Sequence, residues 1–203
     1  VAKGLFITFE GGEGAGKTTQ LRLLKEKLEK AGRTVLATRE PGGTPGAEAI
    51  RKLLVNGDAY EWNAETEVLL HFAARCDHVE KLINPGLEEG SIVISDRFYD
   101  STYAYQGYGQ GFDLKKLDAV RTTMIGDIKP DITFLLDLPV DIGMKRVTEQ
   151  QRYERLPVEF HEKLRQGFLT LAKAEPNRIK TVDATQSAEN VAAAVWAEVQ
   201  KKL

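Results

Sequence analysis

The chain has 203 residues, 42% of them hydrophobic and 29% charged, which is enough for one domain with a full core and ordinary for a globular protein. A net charge of −2 gives no strongly basic footprint for duplex DNA or a membrane surface, and no apolar run approaches a membrane span. The single cysteine, Cys76, has no internal disulfide partner, which fits a reducing compartment.

In chain order, the opening "VAKGLFITFEGG" moves within a few residues into a strand and lacks the apolar stretch of a secretory signal, so a cytoplasmic enzyme is expected. "GLFITFE" is the first strand and feeds a glycine-rich loop. "TTQLRLLKEKLEKAG" reads as a helix, with Leu21, Leu24 and Leu28 on one face and Gly32 as its stop. "TVLATRE" is a second strand, followed by the "PGGTPG" loop. "AEAIRKLLV" is a short helix and "ETEVLLHFAARCDHVEKLI" a long one. "SIVISD" is a strand ending on Asp96, "DLKKLDAVRTTMIG" is helical, "DITFLLDL" is a strand, and "RIKTVDA" is the last strand. "AENVAAAVWAEVQKKL" closes as a helix with Val191, Val195 and Val199 along one stripe. This alternation predicts an α/β fold: a parallel sheet of about five strands, covered on both faces, with ligands at the carboxyl ends of the strands.

The loop after the first strand contains G-x-x-x-x-G-K-T, from Gly11 to Thr18. Its glycines let the backbone curl until several N–H groups face one anion, and the following helix adds its positive end. Lys17 reaches outer phosphates and Thr18 can ligate Mg²⁺. Such a loop serves a hydrolysing motor, a GTP switch or a small-molecule kinase. The N-K-x-D motif of a GTP switch is absent. A kinase needs a second ligand site, and three segments supply candidates. "TREPGGTPG" carries Arg39 and Glu40; "HFAARCDH" carries His71 or Phe72 together with Arg75; "SDRFYDSTYAYQG" carries Asp96, Arg97, Thr102, Tyr105 and Gln106. Arginines suit bidentate phosphate contact, and an aromatic beside a threonine and a glutamine suits a nucleobase. The histidines at 71, 78 and 161 lack carboxylate or cysteine partners at metal-ligand spacing.

Taken together, "FITFEGGEGAGKTTQ", "TREPGGTPGAEAIRKLL", "HFAAR", "SDRFYDSTYAYQG", "KPDITFLLDL" and "VDATQ" resemble the bacterial thymidylate kinase family, in order and over nearly the whole chain. The resemblance implies one P-loop kinase domain over 1–203 with a short mobile lid at about 146–157. It implies transfer of the terminal phosphoryl group of ATP to dTMP, with Mg²⁺, by a homodimer without nucleic-acid or membrane partners. ATP is then held by Gly11, Gly12, Glu13, Gly14, Ala15, Gly16, Lys17, Thr18 and Thr19, with Arg146, Ala184 and Gln186 toward the adenosine. Thr18 and Asp96 are implied at the metal. The acceptor pocket is implied to comprise Glu13, Arg39, Glu40, Pro41, Arg51, His71, Phe72, Arg75, Arg97, Thr102, Tyr105 and Gln106, with Lys17, Arg97 and the lid residue Arg152 catalytic.

The chain departs from the family pattern in two places. His71 occupies the position where the family usually stacks a phenylalanine on thymine, and Phe72 follows it. Gly14 stands where some relatives carry a loop arginine, so the lid "KRVTEQQRYERLP" is expected to supply one, Arg152 ahead of Arg155. A kinase of another nucleoside monophosphate or of a deoxynucleoside, and a nucleotide-binding switch, are the alternatives.

Overall fold

The computed structural model describes residues 4–56, 58, 61–148 and 152–203. The expected lid therefore falls partly outside the described residues, at 149–151, as do the first three residues of the opening segment.

Among the described residues the apolar runs form five strands: β1 (Leu5–Glu10), β2 (Val35–Arg39), β3 (Ile92–Asp96), β4 (Ile132–Asp137) and β5 (Ile179–Asp183). They pair in the order β2-β3-β1-β4-β5, and every pairing is parallel, as the alternation with helices requires. β1 lies at the centre, with Phe9 opposite both Asp96 of β3 and Phe134 of β4. This register puts the ends of β1 and β3 side by side, which is where the glycine loop and Arg97 leave the sheet.

The helices are α1 (Lys17–Lys30), α2 (Pro45–Val55), α3 (Ala64–His78), α4 (Asn84–Glu88), α5 (Tyr99–Thr102), α6 (Leu114–Ile125), α7 (Val140–Arg146), α8 (Val158–Ala174) and α9 (Ala188–Val199). Several starts are written locally. The Thr44 side chain accepts from the N–H of Ala47 ahead of Pro45 in α2, and Asn63 accepts from Thr66 at 2.8 Å at the head of α3. The long helix expected over 65–83 runs as α3 and then widens into π-helical turns over Val79–Ile83. Pro85 follows in α4 and has no N–H to return to the preceding turn.

Alternation along β1 divides the core between the two faces of the sheet. Ile7 and Phe9 pack with Leu24 and Leu28 of α1 and with Val191, Val195 and Val199 of α9. Phe6 faces the other side, against Val68 and Phe72 of α3, Ile83 and Phe98. Tyr105, Leu164 and Phe168 form a third cluster that joins α8 to the π-helical segment Tyr103–Gly109.

Candidate active site

The glycine loop runs from the end of β1 into α1. Gly16 caps the helix with φ 87°, and the first turn of α1 carries no acidic residue, so its positive end is free to meet an anion. Gly14 has φ 68°, and a Cβ placed there would lie 2.1 Å from the carbonyl oxygen of Gly143 in α7. The loop is thus seated against α7, and a loop arginine at position 14 would require α7 to move. Lys17 is buried, and its Nζ donates to the carbonyls of Gly11 and Gly12 at 3.1 and 2.9 Å. Burial, then the neighbouring Arg97, hold its pKa below the usual lysine value. The hydroxyl of Thr18 donates to Oδ2 of Asp96 at 2.7 Å, which brings the two expected metal ligands together.

Arg97 is the junction of the site. It follows β3 with φ 72°, a left-handed conformation that is strained for a residue with a Cβ. Its N–H donates to the carbonyl of Phe9 at 2.9 Å. Its guanidinium donates to Gly11 O (3.0 Å), Ser101 Oγ (3.1 Å), Glu13 Oε1 (3.2 Å) and Tyr105 Oη (2.9 Å). Burial opposes its charge, but Tyr105, Glu13 and Asp96 outweigh that and raise its pKa further above the usual arginine value. Glu13 accepts from the Tyr105 hydroxyl as well. Burial would protonate Glu13, yet Arg97 and Lys17 hold its pKa below the usual carboxylate value. Tyr105 is buried, and desolvation keeps its hydroxyl protonated.

One wall of the site comes from α3, where Glu67, His71 and Arg75 recur every four residues along one face. His71 lines the cleft, and burial, followed by the cations Arg75 and Arg152, pushes its pKa down to about 3, so the imidazole is neutral. Phe72 lies elsewhere: it is 1% exposed in the core cluster behind the wall, with the Arg75 guanidinium 4.7 Å from its ring centre. Of the two candidates for stacking on a base, only His71 has access to the cleft in this arrangement. Arg75 donates from Nε to Glu40 Oε2 at 2.7 Å and from Nη2 to Thr102 Oγ1 at 3.1 Å. The second Glu40 oxygen pairs with His78 Nδ1 at 2.9 Å.

These elements enclose a cleft of about 1310 Å³ at the carboxyl ends of the strands. Glu13 through Thr19, Arg39, Glu40, Pro41, Arg51, His71, Asp96, Arg97, Tyr105, Gln106, Arg146, Ala184 and Gln186 all line it. Arg75 and Thr102 stand behind its wall, and Gly11 and Gly12 lie at the rear of the loop, where their carbonyls hold Lys17. Arg146 donates to Ala184 O at 2.9 Å on the side of the cleft formed by the loop after β5.

Arg152 is placed differently from its expected position beside a transferred phosphoryl group. It is fully buried, donating to Glu67 at 2.5 Å and to the carbonyls of Asp58 and Leu54 at 2.8 and 3.2 Å, and it does not line the cleft. Arg155, the other lid candidate, is exposed.

Glu67 and Tyr153 escape a reading of motifs. Glu67 is 0% exposed and gathers Arg152, Tyr153, Gln106 and Gln110. Its only sequence signal is a spacing of four to His71 and eight to Arg75 on a helix face that is otherwise apolar. Tyr153 lines the cleft from the lid side, its hydroxyl 3.4 Å from His71 Nε2.

The family model described as "Thymidylate kinase" matches residues 9–195 of the chain. A curated thymidylate kinase of Caulobacter vibrioides is 47% identical over 206 residues, covering 100% of this chain and 99% of the relative. One from Marinomonas sp. is 46% identical, covering 98% of this chain and 95% of the relative. The crystal structure of thymidylate kinase from Ehrlichia chaffeensis superposes with a TM-score of 0.80 at 38% identity, covering 97% of this chain and 99% of that one.

Proposed function

The chain belongs to the thymidylate kinase family, and from that premise we propose how its cleft carries the reaction. The enzyme transfers the terminal phosphoryl group of ATP to dTMP, giving dTDP and ADP for dTTP synthesis. Neither a kinase of a different acceptor nor a nucleotide switch finds support among these relatives.

The observation that carries the reading of the site is Arg97, a strained arginine tied at once to the glycine loop through Gly11 and Glu13 and to the acceptor side through Tyr105. Phosphoryl transfer asks a protein mainly for position and charge neutralisation, and a preorganised cation at the meeting point of two phosphates supplies both. We assign the ATP phosphates to the loop from Gly11 to Thr19, with Lys17 against the outer ones, and the adenosine to the side of Arg146, Ala184 and Gln186. dTMP lies opposite. Its phosphate is held by Arg97, with Arg39 and Arg51 on the same wall, its deoxyribose by Glu13 and Tyr105, and its base by His71, Gln106 and the Arg75–Thr102 pair behind them. Glu40 holds Arg75 in place, and Phe72 supports the arginine from below. The acceptor phosphate is already ionised near neutral pH, so no general base is needed.

A kinase of this family works with a divalent cation, and we assign it to Thr18 and Asp96. Hard oxygen donors already 2.7 Å apart suit Mg²⁺, which takes its remaining ligands from water and phosphate. Bound there, the ion would neutralise phosphate charge. For the lid, proposed over 146–157 of a single kinase domain, a catalytic Arg152 must first leave Glu67. Arg146, already in the cleft wall and bonded to the Ala184 carbonyl, is the lid arginine placed to contact ATP, on its adenosine side. We also propose a homodimer in the cytoplasm. Leu69 on α3 and Met124 on α6 are 62% and 44% exposed and give those helices apolar surface to bury. Among the described residues no helix is long and apolar enough to cross a membrane.

Calorimetry on Arg97→Ala tests the site. dTMP binding should be lost while ATP binding is largely kept, and equal loss of both would make the residue structural.

A further inference from the structure

We propose that Glu67 is a positioning residue for base selection: it fixes the side-chain amide of Gln106 so that a carbonyl oxygen, and not an NH₂ group, faces the acceptor nucleobase. This rests on the reading above, in which the base lies against the wall formed by α3 and Gln106.

Ionised Glu67 accepts hydrogen bonds and donates none. Its Oε1 is taken by Arg152 at 2.5 Å, and its Oε2 receives Gln106 Nε2 at 2.7 Å, Gln110 Nε2 at 2.9 Å and the Tyr153 hydroxyl at 3.1 Å. The Arg152 guanidinium and the Glu67 carboxylate form an ion pair in which both side chains are 0% exposed. An amide with its nitrogen bound to such an anion cannot turn over without bringing two oxygens together. Gln106 is therefore locked, and its Oε1 is left buried without a partner among the described residues, in a side chain that lines the cleft. An orphaned buried acceptor of this kind marks a place for a donor.

Thymine and uracil have a ring N–H beside a carbonyl, whereas cytosine has a bare ring nitrogen, itself an acceptor, beside an amino group. An acceptor fixed at Gln106 pairs with the first kind of edge and repels the second. Arg75 complements it behind the wall, its Nη1 a buried donor without a partner among the described residues. A free glutamine could serve either edge by flipping. Glu67 removes that freedom, and the same carboxylate draws Tyr153 of the lid toward the base wall.

Glu67→Gln tests this. Its Oε can still accept from Arg152, but an NH₂ group then faces Gln106 and turns that amide over. Binding of dTMP, dUMP and dCMP is measured by calorimetry, with thermal melting to confirm the fold. dTMP affinity should fall by about tenfold or more, the size of one lost hydrogen bond to a buried partner, and dCMP affinity should hold or rise. The ratio of dTMP to dUMP should stay constant, since the two share this edge, and a general loss of structure would not separate them from dCMP. Should Glu67→Gln fail to fold, Gln106→Leu keeps Glu67 paired with Arg152, and the preference for dTMP over dCMP should narrow in the same way. A folded variant that keeps the wild-type ratio of dTMP to dCMP overturns the inference. A wild-type protein that does not phosphorylate dTMP overturns the underlying reading instead.

Discussion

Lys17 illustrates how individual residues carry the site. Its ammonium caps the carbonyls of Gly11 and Gly12 inside a buried slot, so the charge is set in place before a nucleotide arrives. Removing it should abolish turnover with the protein still folded, because the transferring phosphoryl loses a cation that an aqueous site cannot replace. Wild-type-like turnover in a folded Lys17→Ala protein would contradict the assignment. Arg152 differs in kind. It is paired with Glu67 where both are fully buried, and deleting one member of such a pair costs about 3–5 kcal/mol. Arg152→Ala should therefore lower the melting temperature markedly, while Arg146→Ala should lower turnover at nearly unchanged stability. Arg152→Ala with full stability and a large loss of kcat would instead restore the catalytic role that the resemblance implies for it. The sequence allowed Arg97, Arg75 and Gln106 to be found, because each sits in a motif. Glu67 was not legible, since a glutamate on an amphipathic helix ordinarily points to water and only three-dimensional packing reveals that this one does not.

At the scale of elements, β1 ends in chemistry that its strand pattern conceals. Glu10 is buried, with Oε1 accepting from the N–H of Phe98 at 2.7 Å and of Ser101 at 3.3 Å, and Oε2 from the Ser101 hydroxyl at 2.5 Å. Burial first, then Asp100, push its carboxyl up to about 8, against a lowering by Arg97. An unfolded glutamate titrates near 4.5, so between these values the folded chain keeps a proton that the unfolded chain has lost. Stability contributed by this group is therefore present at the acid end and is lost as pH rises through that window. Thermal melts of the wild type and Glu10→Gln between about pH 5 and about pH 9 should show a shallower fall for the variant. Parallel slopes would contradict the raised pKa. The helix after β1 and the stripes of α1 and α9 were legible from periodicity. The π-helical turns at Val79–Ile83 and Tyr103–Gly109 were not, because a wider turn leaves the apolar spacing of its neighbours nearly unchanged.

Across the whole molecule, the parallel sheet in the order β2-β3-β1-β4-β5 gathers its chemistry at one end. The ends of β1 and β3 bring Gly11 beside Arg97, separated by 86 residues in the chain. Alternating strands and helices made the sheet predictable, but strand order is a long-range property that no local pattern carries. The neutral His71 in the cleft wall has the same status: the sequence offered two candidate aromatics, and helix rotation relative to the sheet chose between them. The central claim is that this cleft carries a phosphoryl group from ATP to dTMP, and a coupled assay of ADP release across a panel of nucleoside monophosphates tests it most directly. dTMP should be the strongly preferred acceptor, with dCMP, AMP and GMP poor ones and no release without an acceptor. Faster turnover with another monophosphate, or ADP release that does not depend on dTMP, would contradict it.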